Sequence, residues 1–456
     1  MANFLPIERT TIQKDNIDAA ARYLSGYADF LEHIHFQLLR EWLQKCDQEH
    51  QCKEPRNYWP TRVIFGGPDP NILRLVRKQH TGGEYTGEDY VVLSHCWSTP
   101  TNEEKKRFCT TKSNYQHRLQ GFTCDDLPKT FQDAVRVTRE LKKQYLWIDS
   151  LCIIQGDDDD WKKEAGEMEN VFDSAYCAIA TSSAPNWRDG FLEWGLDSQN
   201  IEIQDIRGGS TYTCDFNKDV DWSALSGRAW VLQERVLSRR IIHFAAEQMH
   251  WECGEGVRCE NFTGLECPPG RQHFIVDPNF PDRLRTSGYD RTVDFVRFLF
   301  EKYSKCGLTV KSDRDTAIIG LVKRIERVLK TEARYGIFRC FLASLLLWKR
   351  SANERAARIE YEGRTVPSWS WMAYFGGIDF LSNSNLKVPP SADLGFSSVD
   401  GALIVQVRQF EHCRMEREGE MHAILADTGR VGSLWFDMAA NIEFGHCVVV
   451  GRMREE

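Results

Sequence analysis

Between Tyr145 and Thr181 the chain reads YLWIDSLCIIQGDDDDWKKEAGEMENVFDSAYCAIAT, and no other stretch constrains the fold as much. An apolar run beginning at Tyr145 ends on Asp149. Four consecutive aspartates, Asp157–Asp160, then load the start of an amphipathic helix that runs to about Ser174, an end where the helix macrodipole favours negative charge. A second apolar run, Ala175–Thr181, follows directly. Strand, helix and strand in succession belong to an α/β fold with a largely parallel sheet. In such sheets ligands bind beyond the carboxyl ends of the strands, which is where Asp149, Ser150 and Cys152 stand.

The same alternation extends in both directions. Tyr90–Ser94 reads as a buried strand. A helix opens at Leu127-Pro128-Lys129-Thr130, with Phe131, Ala134, Val135, Thr138 and Leu141 as its apolar stripe, Pro being at home in a first turn. Arg240–Phe244 is a further strand, after a helix around Trp230. Ahead of this core, Ile17–Leu43 has helical spacing through Ala20, Tyr23, Leu24, Tyr27 and Leu31, and Pro60–Phe65 and Leu73–Val76 read as strands. Behind it, Cys267-Pro268-Pro269-Gly270 marks a boundary. Helices are expected over Arg291–Tyr303, Asp313–Leu329 and about Tyr335–Trp348. A β-rich tail then opens at Pro367, with Trp369 and Trp371 alternating on a strand and facing one side. The division is a lead segment over 1–85, an α/β domain over 86–266, and a helical then β-rich region over 267–456.

Composition excludes several classes. Apolar residues make up 42% of the chain and there are fourteen tryptophans, too much for a disordered protein. A net charge of −8 leaves no basic footprint for nucleic acid. The N-terminus lacks a basic then apolar leader, so secretion is not expected. The longest apolar runs, such as Phe341–Trp348, are too short for a membrane span. The fifteen cysteines are therefore expected to be reduced and mostly buried.

Three segments carry a likeness to a known family. They are Tyr90-Val91-Val92-Leu93-Ser94-His95-Cys96-Trp97, the block from Leu127 through Trp161 that contains YLWIDSLCIIQ, and Gly227-Arg228-Ala229-Trp230-Val231-Leu232-Gln233-Glu234-Arg235. Together they resemble the fungal heterokaryon incompatibility (HET) domain, with its usual blocks YVALSYCWG, YLWIDSLCIIQDD and RGWTLQER. A continuation common in HET proteins is matched by Leu308-Thr309, Asp313-Arg314, Ala317, Gly320, Leu346-Leu347-Trp348 and Pro367–Trp371, so the resemblance runs from roughly Trp42 to Gly377. Two positions depart from it: His95 stands where most members have Tyr, and Ser98 where they have Gly. HET domains are distantly similar to TIR domains, so the resemblance implies a TIR-like parallel sheet flanked by helices. It also implies a cytoplasmic effector of vegetative incompatibility, a non-self recognition that ends in cell death. The effector would work by NAD hydrolysis or by assembly, through self-association or with other incompatibility proteins. NAD would be a substrate, and no cofactor is expected. A non-catalytic interaction module, or a HET fold recruited as an enzyme of fungal secondary metabolism, are the alternatives.

On a helix beginning near Ser226, Trp230, Gln233, Glu234 and Leu237 recur at steps of three and four and share a face. A carboxylate beside an indole on a partly apolar face is placed to have its pKa raised. The Trp230–Glu234 segment is similar to the TIR segment whose glutamate handles the ribose of NAD. By that resemblance Glu234 is the candidate catalytic residue, and Trp230, Asp149, Ser150, His95, Trp97, Arg228 and Gln233 line the substrate site. The competing reading has Glu234 pairing with Arg228, Arg235 or Arg239 to pin the helix. Asp149 also has two readings, as a polar rim or as an acceptor shaping the next turn. His95 and Cys96, adjacent on a strand, point to opposite faces and cannot pair as base and nucleophile.

Asp157–Asp160 lack the glycine and the terminal glutamate of a calcium loop and read as a solvated helix start. Glu164 and Glu167 read as a solvent-facing stripe. Cys46, His50 and Cys52 are residue types that bind zinc, but only three are local, and Cys253, Cys259 or Cys267 would have to supply a fourth. On that count no metal is assigned, and buried thiols near a satisfied histidine are the favoured reading.

Overall fold

The strands of the main sheet are, in chain order, β1 (Arg62–Phe65), β2 (Ile72–Arg77), β3 (Tyr90–Ser94), β4 (Phe122–Thr123), β5 (Tyr145–Trp147), β6 (Cys177–Ala180), β7 (Arg240–Phe244), β8 (Met249–Cys253), β9 (Gly256–Cys259) and β10 (Gly264–Glu266). They lie side by side in the order β10-β9-β8-β7-β6-β3-β5-β1-β2-β4. The computed structural model describes residues 35–50, 52, 58–77, 88–98, 100–192, 216–260, 264–266, 284–351, 357–381 and short stretches between 386 and 453. β3 pairs in parallel with both β5 and β6, and β6 with β7. Every residue of β3, β6 and β7 is buried, which is why these strands read as unbroken apolar runs: helices cover both faces of a parallel sheet. β5, β3, β6 and β7 are thus successive neighbours in the sheet. Antiparallel pairs, β1 against β5 and β7 against β8, extend the sheet on either side.

The helices are α1 over residues 35–49, α2 (Asn102–Phe108), α3 (Tyr115–Gln120), α4 (Lys129–Glu140), α5 (Asp149–Cys152), α6 (Asp158–Ser174), α7 (Ala229–Leu237), α8 (Tyr289–Ser304), α9 (Ile319–Leu329) and α10 (Leu342–Leu346). The Ala20–Leu31 stripe lies outside the described residues. Among those described, no helix is long and apolar enough to cross a membrane. Two large apolar cores form among the described residues, beside a small cluster of Phe216, Val220, Val257 and Cys259. One, around Trp147, Phe172 and Ile179, belongs to the sheet; the other, around Phe300, Leu321 and Trp371, belongs to the C-terminal helices. Helix α7 feeds both, Val231 and Leu237 entering the first and Ala229, Leu232 and Val236 the second.

Several expectations are corrected. Asp160 is not solvated: Arg62 Nη2 donates to it at 2.6 and 2.8 Å, and the Ile154 N–H at 2.8 Å. Glu164 is buried 3.4 Å from the same guanidinium rather than facing solvent. The segment from Asp313 begins as 3-10 turns, and helix proper starts at Ile319. Tyr335–Trp348 is not one helix. Tyr335 and Gly336 both take positive φ, 50° and 75°, and turn the chain into a short antiparallel pair of Ala333-Arg334 with Ile337-Phe338. A Cβ on Gly336 would meet the Trp371 ring at 2.8 Å, so the close approach itself calls for glycine. Trp369 sits on a turn and Trp371 opens a 3-10 helix, Trp371–Ala373, so neither lies on a strand. Trp371 is fully buried on Phe300 and Tyr303, while half-buried Trp369 stacks on Phe396, so both serve the C-terminal core and not a contact with the sheet. Cys259 is disulfide-bonded, an exception to the expected reduced thiols.

Candidate functional site

The carboxyl ends of β3 and β5 meet the middle of α7. Side chains alternate along a strand, so Ser94, closing β3, aims at α7, while His95 turns to the other face and meets Phe131 of α4 edge-on at 5.0 Å. Ser94 Oγ donates to Glu234 Oε2 at 2.5 Å. Asp149 accepts from Trp97 Nε1 at 2.5 Å and from the Ser150 N–H at 2.6 Å. Its other contact is His95, with Nδ1 at 3.9 Å. Asp149 thus shapes the turn after β5, as its second reading expected, and holds an indole and an imidazole beside it. The two rings lie nearly parallel, 6.3 Å apart.

The electrostatics centre on Glu234. Burial pushes its carboxyl from the ordinary 4.5 to about 7; the Ser94 hydrogen bond opposes the rise, Asp149 adds to it, and Arg228 opposes it. Burial pushes the His95 imidazole down, Asp149 opposing and Arg228 reinforcing the shift. Cys96 is pushed up by burial, while the Arg228 charge and hydrogen bond act against that. Arg228 thus stands amid His95, Cys96 and Glu234, and it is partly exposed. A carboxyl poised near neutrality among charged and ring donors, at the carboxyl edge of a parallel sheet, is the arrangement expected of a functional site. Beside it lies a cavity of about 10 Å³, lined by Ser94, Leu225, Val231, Glu234, Ser238 and His243, room for about one water.

His95, Trp97, Asp149, Ser150, Arg228 and Glu234 come together here. Ser150 does so through its backbone; its Oγ is buried without a hydrogen-bond partner. Gln233 does not join them. Its Oε1 accepts the Gly320 and Leu321 N–H groups at 2.9 and 3.4 Å, capping the first turn of α9. Adjacent helix positions diverge by about 100°, and that angle separates Gln233 from Glu234. Trp230 leans to the second core, edge-on to Trp161 at 6.4 Å, and its indole N–H bonds Asp313. Of the arginines proposed to pin Glu234, Arg235 instead meets Glu252 and Asp221, and Arg239 meets Asp173. Ser94 was overlooked in the sequence, although its place at the end of β3 was the available signal. Far from this site, Cys46, His50 and Cys52 gather around Cys253.

Residues 90–234 match the family model described as Heterokaryon incompatibility protein (HET). No match was found among curated proteins or among solved structures. The matched span begins with β3 and ends on Glu234, so it encloses all six residues gathered at the site, and it supports a role related to heterokaryon incompatibility in general terms.

Proposed function

Starting from a chain that carries a HET domain over residues 90–234, we propose that the protein is an effector of vegetative incompatibility whose Glu234 site hydrolyses NAD. The observation behind this reading is the Glu234 carboxyl, poised at about 7 and tied to the end of β3. In the reaction the bond between ribose C1′ and the nicotinamide nitrogen breaks, and its electron pair leaves with nicotinamide. Positive charge grows on the ribose, water adds at C1′, and a proton is released to solvent with ADP-ribose. An ionised Glu234 beside the ribose stabilises that charge, most strongly where water is excluded. Trp97, held by Asp149, offers a flat apolar wall for the nicotinamide ring.

One observation favours a second reading, a non-catalytic interaction module. The cavity at Glu234 measures about 10 Å³, against roughly 300–1,000 Å³ for a ligand pocket. Incubating the full chain with NAD and measuring nicotinamide by chromatography separates the two. Release that disappears in a folded Glu234→Gln variant supports hydrolysis. No release from wild type, even at concentrations where it self-associates, leaves the interaction module in its place.

A further inference from the structure

The geometry points to a structural zinc site formed by Cys46, His50, Cys52 and Cys253. One ligand atom from each residue lies within 4.8 Å of all the others, and Cys253 Sγ is 3.5 Å from His50 Nδ1. Tetrahedral zinc, with Zn–S of ~2.3 Å and Zn–N of ~2.0–2.1 Å, sets S···N at about 3.6 Å and S···S at about 3.8 Å. The cluster need contract by about 1 Å at its widest to match those edges.

Local structure explains the convergence. The His50 N–H donates to the Cys46 carbonyl at 3.2 Å, closing the last turn of α1, so Cys46 and His50, four apart, share a face. Cys52 follows two residues later. Cys253 ends β8, at the hairpin into β9. That hairpin turns its backbone toward the cluster: the Gly254 N–H bonds the Cys52 sulfur and the Glu255 N–H bonds the Cys253 sulfur. Amide donors to sulfur are the outer-shell contacts that hold metal thiolates. Cys259, locked in a disulfide, is not available as the fourth ligand, whereas Cys46, Cys52 and Cys253 are free thiols.

All three thiols are buried and His50 is half-buried. Four protein ligands leave no open position, so the ion is structural and takes no part in chemistry. Binding by three thiols and a neutral imidazole releases three protons and leaves one net negative charge, which Arg240, close to Cys46, faces. The ion fastens α1 to β8 across 203 positions of sequence. Two polar contacts tie α1 to the strands on either side of β8, His35 with Glu260, just past β9, at 2.6 Å and Asp47 with Arg240 of β7 at 2.5 Å.

The test uses the full chain, purified under reducing conditions from zinc-supplemented medium. Elemental analysis should find one zinc per chain, released when a mercurial reagent blocks the thiols. The cobalt-exchanged protein should show the intense visible bands of a tetrahedral, thiolate-rich site. Cys253→Ser should lose the zinc, and Cys340→Ser, at an exposed free cysteine, should keep it. Should Cys253→Ser fail to fold, the wild-type zinc content and cobalt spectrum decide alone. Zinc well below one equivalent after reconstitution with excess metal, or the weak spectrum of octahedral cobalt, overturns the inference. So does a disulfide between two of the three cysteines in freshly purified protein.

Discussion

Ser94 and Glu234, 140 positions apart, share a 2.5 Å hydrogen bond that joins the last residue of β3 to the centre of α7. The bond runs to the charged form of the carboxyl and so favours ionisation, against the burial that disfavours it. Neither influence acts alone, and the balance falls near neutral pH. Holding the helix in place is left to its neighbours, Gln233 through α9 and Arg235 through β8. Glu234 is thereby spared a structural pairing with either arginine that follows it on the chain.

Removing the serine hydroxyl tests that balance. Ser94→Ala deletes the bond that favours the carboxylate, so the Glu234 pKa should rise above about 7. If hydrolysis needs ionised Glu234, the rising limb of its pH–rate profile should move to higher pH. Carboxyl titration by carbon NMR on Glu-labelled protein reads the same shift without reference to activity. An unchanged titration would show that the hydroxyl does not set the acidity.

Arg235 and Glu252 form a second buried relationship, with Nε–Oε2 at 2.9 Å and Nη2–Oε1 at 3.0 Å, and His243 adds a contact to Oε2 at 2.8 Å. Burial would raise the Glu252 pKa, but Arg235 and His243 hold it at about 2. Because the folded value lies below the ordinary 4.5, the stabilisation is present above about 4.5 and is lost as pH falls toward 2. Glu252→Gln or Arg235→Met should each cost about 3–5 kcal/mol at pH 7, since one charge is left buried and unpaired. Urea unfolding at pH 7 and pH 3 should show the Glu252→Gln penalty shrinking at the lower pH.

How much of this was legible in the sequence depended on the range of the signal. The four parallel strands could be read because a strand buried on both faces is an unbroken apolar run, whatever pairs with it. Asp160 and Glu164 were misread as solvated because their partner, Arg62, sits 98 positions away from Asp160. Helical spacing placed Gln233 and Glu234 on one face, but a face is broad enough to meet two different elements, and here it does. Cys253 could be named only as one of three cysteines, since choosing the fourth ligand required knowing where β8 lies. Ser98 carries a local lesson: its φ of 45° is left-handed, the conformation glycine takes without cost, and glycine is the residue expected there by resemblance.

Packing in the C-terminal core separates the two tryptophans that the sequence treated alike. Trp371 is fully buried and touches Phe300, Tyr303 and Gly336, so Trp371→Ala should cost about 3–5 kcal/mol. Trp369 is half-buried, its ring stacked on Phe396 and its carbonyl bonded by Trp348. That carbonyl survives substitution, so Trp369→Ala should cost clearly less. Denaturant midpoints of the two variants, measured side by side, check the order.

Glu234→Gln separates chemistry from architecture. The substitution keeps the size of the side chain and an oxygen for Ser94 to donate to, but it removes the charge. If the carboxylate stabilises the ribose cation, NAD turnover should fall by about 100-fold or more, the usual loss for one electrostatic contact to a transition state. Stability should move the other way with pH. The wild-type folded value of about 7 lies above the ordinary 4.5. Its stabilisation is therefore fully present below about 4.5 and is lost as pH rises through about 7. Relative to wild type, Glu234→Gln should gain about 2 kcal/mol between pH 5 and pH 8, a figure that allows for the partial exposure of the side chain. Thermal or urea unfolding at the two pH values reads this directly. A variant equally destabilised at both would mean that Glu234 anchors α7 after all, whatever becomes of the activity.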